Sequence, residues 1–502
     1  MRELQLNFIL NKTTVRWLKI LNQFERERTC SIVSLAEKLD VTQRTISSDL
    51  KGLSALIQDV ATLIPVSDGY HFTETNPIEY LEKKRELVTK EGLYQILDAV
   101  FHGVALSVEE WAQKFYVSES TMRRYLNSAS KTLRYYNLTL SLTPVRILGR
   151  EVDIRKFFKD FYYASDVTPH TLLLPTQLID LVDAALPYAS SELINTDTSP
   201  NDFFYDLFIM IERHKAGYKI EIPISLAKQA TLIPEFFTFC KIKHSIEKIY
   251  QINLPQEEFI WLYLVTVIKR TLTNPSKERK FIEYFSLWPE LAKISQMFVE
   301  KWTTEFRDRQ MIETLIQTFF VSKKINDLLS PVLNRVLVEI KKETIKMRPQ
   351  SYQKNLSFLK KVQPILKIDL GYIEDICSSL TLHTQAIEEL YYRKAKRIAL
   401  ILEGDPYICQ TIKSSFLRCV DKEHLIFFPH FNELNNDFLI KNKIDLVITN
   451  YSDYLTDFIL STDYLLLKAV PDKHDWLRII KKLDPYFGAV LSNNEAGFLI
   501  DF

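Results

Sequence analysis

Nine histidines and five cysteines are the residues of this 502-residue chain best suited to nucleophilic, redox or metal chemistry. Their spacing supports none of it. The cysteines stand at 30, 240, 377, 409 and 419 with no C-x-x-C pair, so neither a thiolate metal site nor a dithiol redox motif is present. No H-E-x-x-H, G-x-S-x-G, Walker loop or G-x-G-x-x-G occurs. His424 and His430 lie six apart across a predicted strand and face one way, but a pair alone falls short of a full ligand set. The reading is therefore a non-enzyme with no cofactor and no metal. What the residue types do offer is binding. Hydroxyl, amide and cationic side chains cluster at Thr42, Gln43, Arg44, Thr45, Ser47, Ser48 and Lys51, and again at Ser118, Ser120, Thr121, Arg123 and Arg124. Lys131, Arg134 and Arg146 follow the second cluster. Such groups donate to phosphate oxygens and to base edges of duplex DNA.

Both clusters sit inside one repeated pattern. "LAEKLDVTQRTISSDL" (35–50) and "WAQKFYVSESTMRRYL" (111–126) align at an offset of 76 residues, with Ala36/Ala112, Lys38/Lys114, Val41/Val117, Thr45/Thr121 and Leu50/Leu126 identical. The physics of a helix–turn–helix accounts for the pattern. Ala36 and Ala112 fall where two helices cross closely, and Val41 and Val117 plug the turn. Thr42 and Ser118 are N-caps that accept from exposed amides of the next helix. Ile46 and Leu50, or Met122 and Leu126, return to the core every fourth residue. The residues between them face outward on one stripe.

The flanks complete two winged units. "KTTVRWLKILNQFER" before the first copy and "EGLYQILDAVFHG" before the second read as helices. "IPVSDGYHF" predicts a hairpin turning at Asp68-Gly69. "LTLSLTPVRILGRE" alternates as a second hairpin should. Residues 111–156 carry nine basic side chains (Lys114, Arg123, Arg124, Lys131, Arg134, Arg146, Arg150, Arg155, Lys156) against three acidic ones, a patch suited to a polyanion. The first stripe holds the single Arg44, so more of the grip is assigned to the second.

Composition places these units in a longer, mainly helical protein. Ten glycines against 31 Phe and 24 Tyr argue against glycine-rich phosphate loops and for filled helical cores. The longest apolar run, "FIWLYLVTVI", is about half the roughly 20 residues a bilayer helix needs. Neither a signal peptide nor a patterned cysteine framework is legible, so the expected setting is cytoplasmic, with reduced thiols and no membrane. From about 170 to 390 the period is helical, with proline-marked breaks that include positions 331 and 364. From Arg397 the pattern alternates: "RIALILE", "HLIFFPHF", "KIDLVITNY" and "YLLLKAV" read as strands of a parallel sheet, and "DKHDWLRIIKKLD" as a helix.

Two winged helices, two helical modules and a small α/β tail together resemble the Mga/AtxA family of Gram-positive virulence regulators. The resemblance implies winged helix–turn–helix domains at 1–78 and 79–165, helical regulation domains at 166–285 and 286–393, and an enzyme-IIB-like α/β domain at 394–502. It also implies a transcriptional regulator, an activator, that binds double-stranded DNA and forms a homodimer through its C-terminal half. In that family the helical modules look like phosphotransferase-system regulation domains, whose histidines accept phosphate from the phosphocarrier proteins of sugar import. Here His383, in "SSLTLHT", matches such a histidine, and His214, in "DLFIMIERHKAGYKI", lies near one but out of register. Asp206 and Tyr263 occupy two further histidine positions. In the tail, the loop "EGDPYICQ" after the first strand carries Glu403 and Asp405, which repel phosphate, and Cys409 lies too far along to be the nucleophile. The competing readings are a regulator that binds protein or accepts phosphate without binding DNA, and an RNA-binding antiterminator. Single-stranded RNA readers display stacking aromatics, which the two stripes lack.

Overall fold

Asn11 starts the first long helix, Lys12–Glu27, by capping it: its side chain accepts from the amides of Thr13 and Thr14. The computed structural model describes residues 2–163, 176–177, 179–181, 196, 200–302, 308–391, 395–420, 424–429, 436–453 and 462–483. The chain divides into two units, Met1–Tyr391 and Tyr392–Phe502.

In the first unit a short helix, α1 (Glu3–Leu6), precedes α2 (Lys12–Glu27), strand β1 (Thr29–Cys30), α3 (Ile32–Leu39) and α4 (Gln43–Ile57). A hairpin of β2 (Ala61–Val66) and β3 (Gly69–Glu74) follows. β3 lies between β2 and β1, antiparallel to both. The two-residue loop is Ser67-Asp68, with Val66 opposite Gly69, so the turn sits one residue earlier than the sequence predicts. Gly69 instead opens β3, at φ +139°, and a Cβ there would lie 2.3 Å from the carbonyl oxygen of Cys30. Contact between β3 and β1 therefore excludes any larger residue. The two-residue β1 was too short to read from the sequence.

Helices α5 (Pro77–Thr89) and α6 (Gly92–Phe101) lead to the second copy: α7 (Val108–Lys114), α8 (Glu119–Arg134), hairpin β4 (Thr139–Leu142)–β5 (Val145–Leu148) and α9 (Glu151–Tyr162). The remainder of the unit is helical over its described residues: α10 (Pro200–Lys215), α11 (Ile224–Thr231), α12 (Pro234–Phe239), α13 (Ile242–Tyr250), α14 (Gln256–Val267), α15 (Pro275–Tyr284), α16 (Glu290–Glu300), α17 (Arg309–Leu329), α18 (Val338–Met347), α19 (Pro349–Leu366) and α20 (Ile373–Tyr391). Prolines 200, 234, 275 and 349 open helices, where a missing amide proton leaves no bond unmade. Pro364 does not break its helix. It sits inside the last turn of α19, which ends at Lys367 in the left-handed conformation (φ 49°).

Two hydrophobic cores divide this unit unequally. The first helix–turn–helix has its own, built from Ile20, Phe24, Leu35, Ile46, Leu50, Phe72 and Tyr80 among others. The second shares one continuous core with the helices that follow it: Trp111, Met122 and Leu126 belong to the same cluster as Phe157, Trp261, Phe320 and Ile376. Leu4, Leu6, Phe8 and Ile9 also pack there, although they precede the first copy in sequence. Phe8 meets Phe157 and Phe161 at 5.7 and 5.4 Å between ring centroids.

The second unit is a four-stranded parallel sheet in the order β7-β6-β8-β9, from β6 (Arg397–Ile401), β7 (Leu425–Phe427), β8 (Leu446–Thr449) and β9 (Asp463–Leu466). Helices α21 (Pro406–Cys419), α22 (Asn436–Lys441) and α23 (Lys473–Leu483) connect and cover it. β8 is buried at all four positions, as a central parallel strand covered on both faces must be. His430 lies outside the described residues, so the His424/His430 pairing has no counterpart here. No helix among the described residues is long and apolar enough to cross a membrane.

Candidate nucleic-acid interface

The two helix–turn–helix copies agree atom by atom at their turns. Asp40 and Tyr116, 76 residues apart, both take positive φ, 53° and 55°. The amide of Val41 donates to the carbonyl of Ala36, and that of Val117 to the carbonyl of Ala112, each at 3.0 Å. Ala36 and Ala112 are buried, as are Ile46 and Leu50 in one copy and Met122 and Leu126 in the other. Thr42 Oγ1 accepts from the Thr45 amide and Ser118 Oγ from the Thr121 amide, both at 3.2 Å. A positive-φ residue reverses the chain, the valine amide closes the turn, and the hydroxyl starts the next helix at its exposed N-terminus.

On the first copy Thr42, Gln43, Arg44, Ser48 and Lys51 are exposed, while Thr45 and Ser47 are half-buried. Several of the hydroxyls already have local work: Thr42 and Thr45 bond each other at 2.9 Å, and Ser47 Oγ donates to the Gln43 carbonyl at 3.0 Å. On the second copy Ser118, Ser120, Arg123, Arg124, Lys131, Arg134 and Arg146 are exposed and Thr121 is half-buried. Ser118 Oγ lies 2.9 Å from Ser120 Oγ. At 3.6 residues per turn, Arg123 and Arg134 fall within roughly 20° of each other around α8, as do Arg124 and Lys131. The four cations thus form two adjacent stripes along one side of the helix. Arg123 makes an exposed ion pair with Glu119, at 3.6 Å. Arg146 extends from β5, opposite Ser141, as an exposed cation on the hairpin.

The rest of the basic patch is mixed: Lys114 and Arg150 are exposed, Lys156 is half-buried and Arg155 is buried. Arg155 is 1 % exposed, and its guanidinium forks onto Glu258 at 2.6 and 2.9 Å, with Glu151 at 3.1 Å. Lys156 pairs with Asp160 at 2.8 Å, and Arg150 donates to the Leu329 carbonyl at 2.5 Å. Arg150 and Arg155 tie the start of α9 to the helices behind it, while Lys156 pairs within α9, so the exposed cations of the patch not bound to those helices are Lys114 on α7, the four on α8 and Arg146 on the hairpin. Sequence reasoning also missed the device that holds α4. Asp49 is 4 % exposed and accepts from Arg16 at 2.7 and 3.1 Å and from Trp17 Nε1 at 3.0 Å. Gly52, one turn along, lets the Trp17 indole approach to where a Cβ would be 2.6 Å away. An aspartate on the helix side opposite the outward stripe was the available signal.

A family model for the Mga helix-turn-helix domain matches residues 80–162, which span α5 to α9 and contain the second copy. Three relatives are regulators by name. A trans-acting regulator of Streptococcus pneumoniae is 28% identical over 156 residues, 31% of either chain. The capsule synthesis positive regulator AcpA of Bacillus anthracis is 20% identical over 283 residues, 55% of this chain and 58% of its own. AcpB of the same organism, also named a capsule synthesis positive regulator, is 20% identical over 500 residues, 94% of this chain and 98% of its own. These matches agree with the resemblance to the Mga/AtxA family. The chain's matches span about a third and just over half of the first two relatives, and nearly all of AcpB.

The compared histidine positions have distinct surroundings. Asp206 is 2 % exposed and, with Asp202, holds Lys159 and Lys269 in a four-membered ion cluster. Tyr263 is fully buried between Phe236 and Phe239 at 5.3 and 5.5 Å. His214 is half-buried, its Nδ1 3.8 Å from a Glu258 carboxylate already taken by Arg155. His383, on α20, is half-buried; its Nε2 lies 3.1 Å from the Leu315 carbonyl and its ring stacks on Phe319 at 5.1 Å. Burial pushes its pKa down to about 4, and nearby Lys323 acts in the same direction. The imidazole is therefore neutral at pH 7, its Nε2 proton directed at the carbonyl.

In the second unit, Asp405 occupies the N-terminus of α21, accepting from the amides of Tyr407 and Ile408 at 2.9 and 3.2 Å. The amides that could cradle a phosphate are thus already engaged by a carboxylate. The Cys409 thiol is raised above its ordinary pKa by burial and by the charges of Glu403 and Asp405, opposite to the shift a nucleophile needs.

Proposed function

We propose that this chain is a DNA-binding transcriptional regulator that grips duplex DNA through tandem winged helices at 1–78 and 79–165, the second supplying more of the affinity. The observation that carries the reading is the pair of cationic stripes exposed along α8, a capped helix inside the segment that matches the Mga helix-turn-helix domain. In this geometry α8 enters the major groove while Arg146 on the hairpin reaches a phosphate. By analogy with relatives named positive regulators, its output is activation. Replacing Arg123 and Arg124 together with Ala is expected to weaken duplex binding about tenfold or more on every sequence. It should also flatten the dependence of log K on log salt by roughly one unit for each phosphate no longer neutralised. Fluorescence anisotropy on labelled duplexes at several salt concentrations reads both; an unchanged affinity and slope would remove α8 from the interface.

A regulatory phosphorylation reading attaches to His383. A neutral ring whose Nε2 proton points to a carbonyl leaves the Nδ1 lone pair as the nucleophile, which supports phosphate acceptance from phosphocarrier proteins of the sugar phosphotransferase system. Incubating the chain with those carriers and labelled phosphoenolpyruvate should label the wild type and not the His383→Asn variant. Equal labelling of both would move the acceptor elsewhere.

A further inference from the structure

Between α9, the helices that follow it and the 331–340 segment lies a cleft of about 630 Å³, a size suited to a small-molecule ligand. Three side chains that are at least nine-tenths buried present polar atoms in it that have no partner among the described residues: Trp261 Nε1, Ser322 Oγ and Asn326 Oδ1. Arg335 Nε is a fourth such atom. Buried polar atoms are normally satisfied, because each one left unmade carries its full desolvation penalty. Four orphans converging on one cleft, two of them donors, one an acceptor and one a hydroxyl able to do either, describe the complement of a polar molecule.

Charge narrows its class. Arg155, Lys156 and the Lys159–Lys269 pair are matched one to one by Glu258, Asp160, Asp202 and Asp206, and Arg270 by Glu278 at 2.9 Å. Among the described residues no carboxylate pairs with the two remaining lining cations. Lys323 bonds Ser379 Oγ at 3.2 Å, and Arg335 donates to the Tyr135 carbonyl at 2.7 Å. Asp375, the carboxylate that acts on Lys323 through space, is bonded to Lys341 at 3.2 Å. Burial and Lys156 already push the Lys323 pKa down to about 8, the signature of a cation lacking its counter-charge.

We propose that this cleft binds a small organic dianion bearing hydroxyl groups, a phosphate monoester or a hydroxy-dicarboxylate, with its two charges on Lys323 and Arg335 and its polar groups on Trp261, Ser322 and Asn326. The cleft joins α9, the last helix of the Mga-domain match, to the helices carrying His383, so its occupant is placed to act on the second helix–turn–helix as an effector. Binding is read without DNA, so its failure and the failure of the DNA reading are separate results.

The test uses the full-length, unphosphorylated chain, titrated by calorimetry with glucose 6-phosphate, with malate and, as the uncharged control, with glucose; melting temperatures are taken in parallel. At least one dianion is expected to bind and to raise Tm with concentration, and which one responds distinguishes the two ligand classes. Lys323→Met should weaken that binding about tenfold or more, and Arg123→Ala/Arg124→Ala should leave it unchanged. Should Lys323→Met fail to fold by circular dichroism, Ser322→Ala takes its place, with a several-fold weakening expected. The proposal is overturned if neither dianion binds, if glucose binds as well as the dianions, or if the folded cleft variant retains full affinity. Loss of binding in the Arg123→Ala/Arg124→Ala variant would place the anion on the outer face of α8 and overturn it equally.

Discussion

His383 and Asp49 show how much of a residue's role depends on what folds around it. "SSLTLHT" identifies a histidine on a helix, but the carbonyl of Leu315, 68 residues away, decides its tautomer, and burial decides its charge. The consequence is a pH dependence with a definite sign. A histidine whose folded pKa lies near 4, below its ordinary 6.5, binds fewer protons folded than unfolded between those values. Its contribution to stability is complete above pH 6.5 and is lost as pH falls through about 4, to a total of about 3 kcal/mol. Urea unfolding of wild type and His383→Phe at pH 7 and pH 4.5 checks this: the wild type should lose more stability than the variant over that interval. Equal losses would show that the ring titrates normally. Asp49 offered only its place opposite the outward stripe, and an aspartate within a polar helix reads as solvated until Arg16 and Trp17 are seen to close on it.

At the scale of elements, the repeated helix–turn–helix was legible because its constraints are local. A small residue at the crossing, a plug in the turn, a hydroxyl cap and a four-residue return to the core all lie within sixteen positions, and each has a short-range cause. The basic patch was legible only in part. Arg155 looks like Arg123 and Arg124 in sequence, and only the packing of α9 against α14 separates this buried cation from the exposed ones. The Arg155–Glu258 pair is fully buried on both sides, so removing one partner leaves an uncompensated charge in the interior. Glu258→Ala is therefore expected to destabilise the chain by ~3–5 kcal/mol, measured as a drop in the denaturation midpoint followed by tryptophan fluorescence. A shift below about 1 kcal/mol would mean that Glu151 alone suffices to hold Arg155.

At the scale of the molecule, the two copies of one motif have unequal circumstances. The first folds around a core of its own, and the second is continuous with the helices carrying the cleft and His383. A change in those helices therefore has a packed route to α8 through α9, whereas the two cores meet through α2, with Leu18 in one and Ile20 in the other, and through α5, with Val88 and Tyr80.

By itself the sequence determined the helical character, the tandem motif with its caps and turns, the parallel strands of the tail and the likeness to the Mga helix-turn-helix domain. Each of these is written in short-range periodicity, in residue types at single positions or in the order of segments. Only the tertiary structure decided which cations remain exposed, where Asp206 and Tyr263 find their partners, and that four unpaired polar atoms meet in one cleft. Those outcomes depend on charges and side chains brought together from segments well apart in the chain, 47 residues for Lys159 and Asp206 and 103 for Arg155 and Glu258, and local pattern does not encode which distant group will satisfy a buried one.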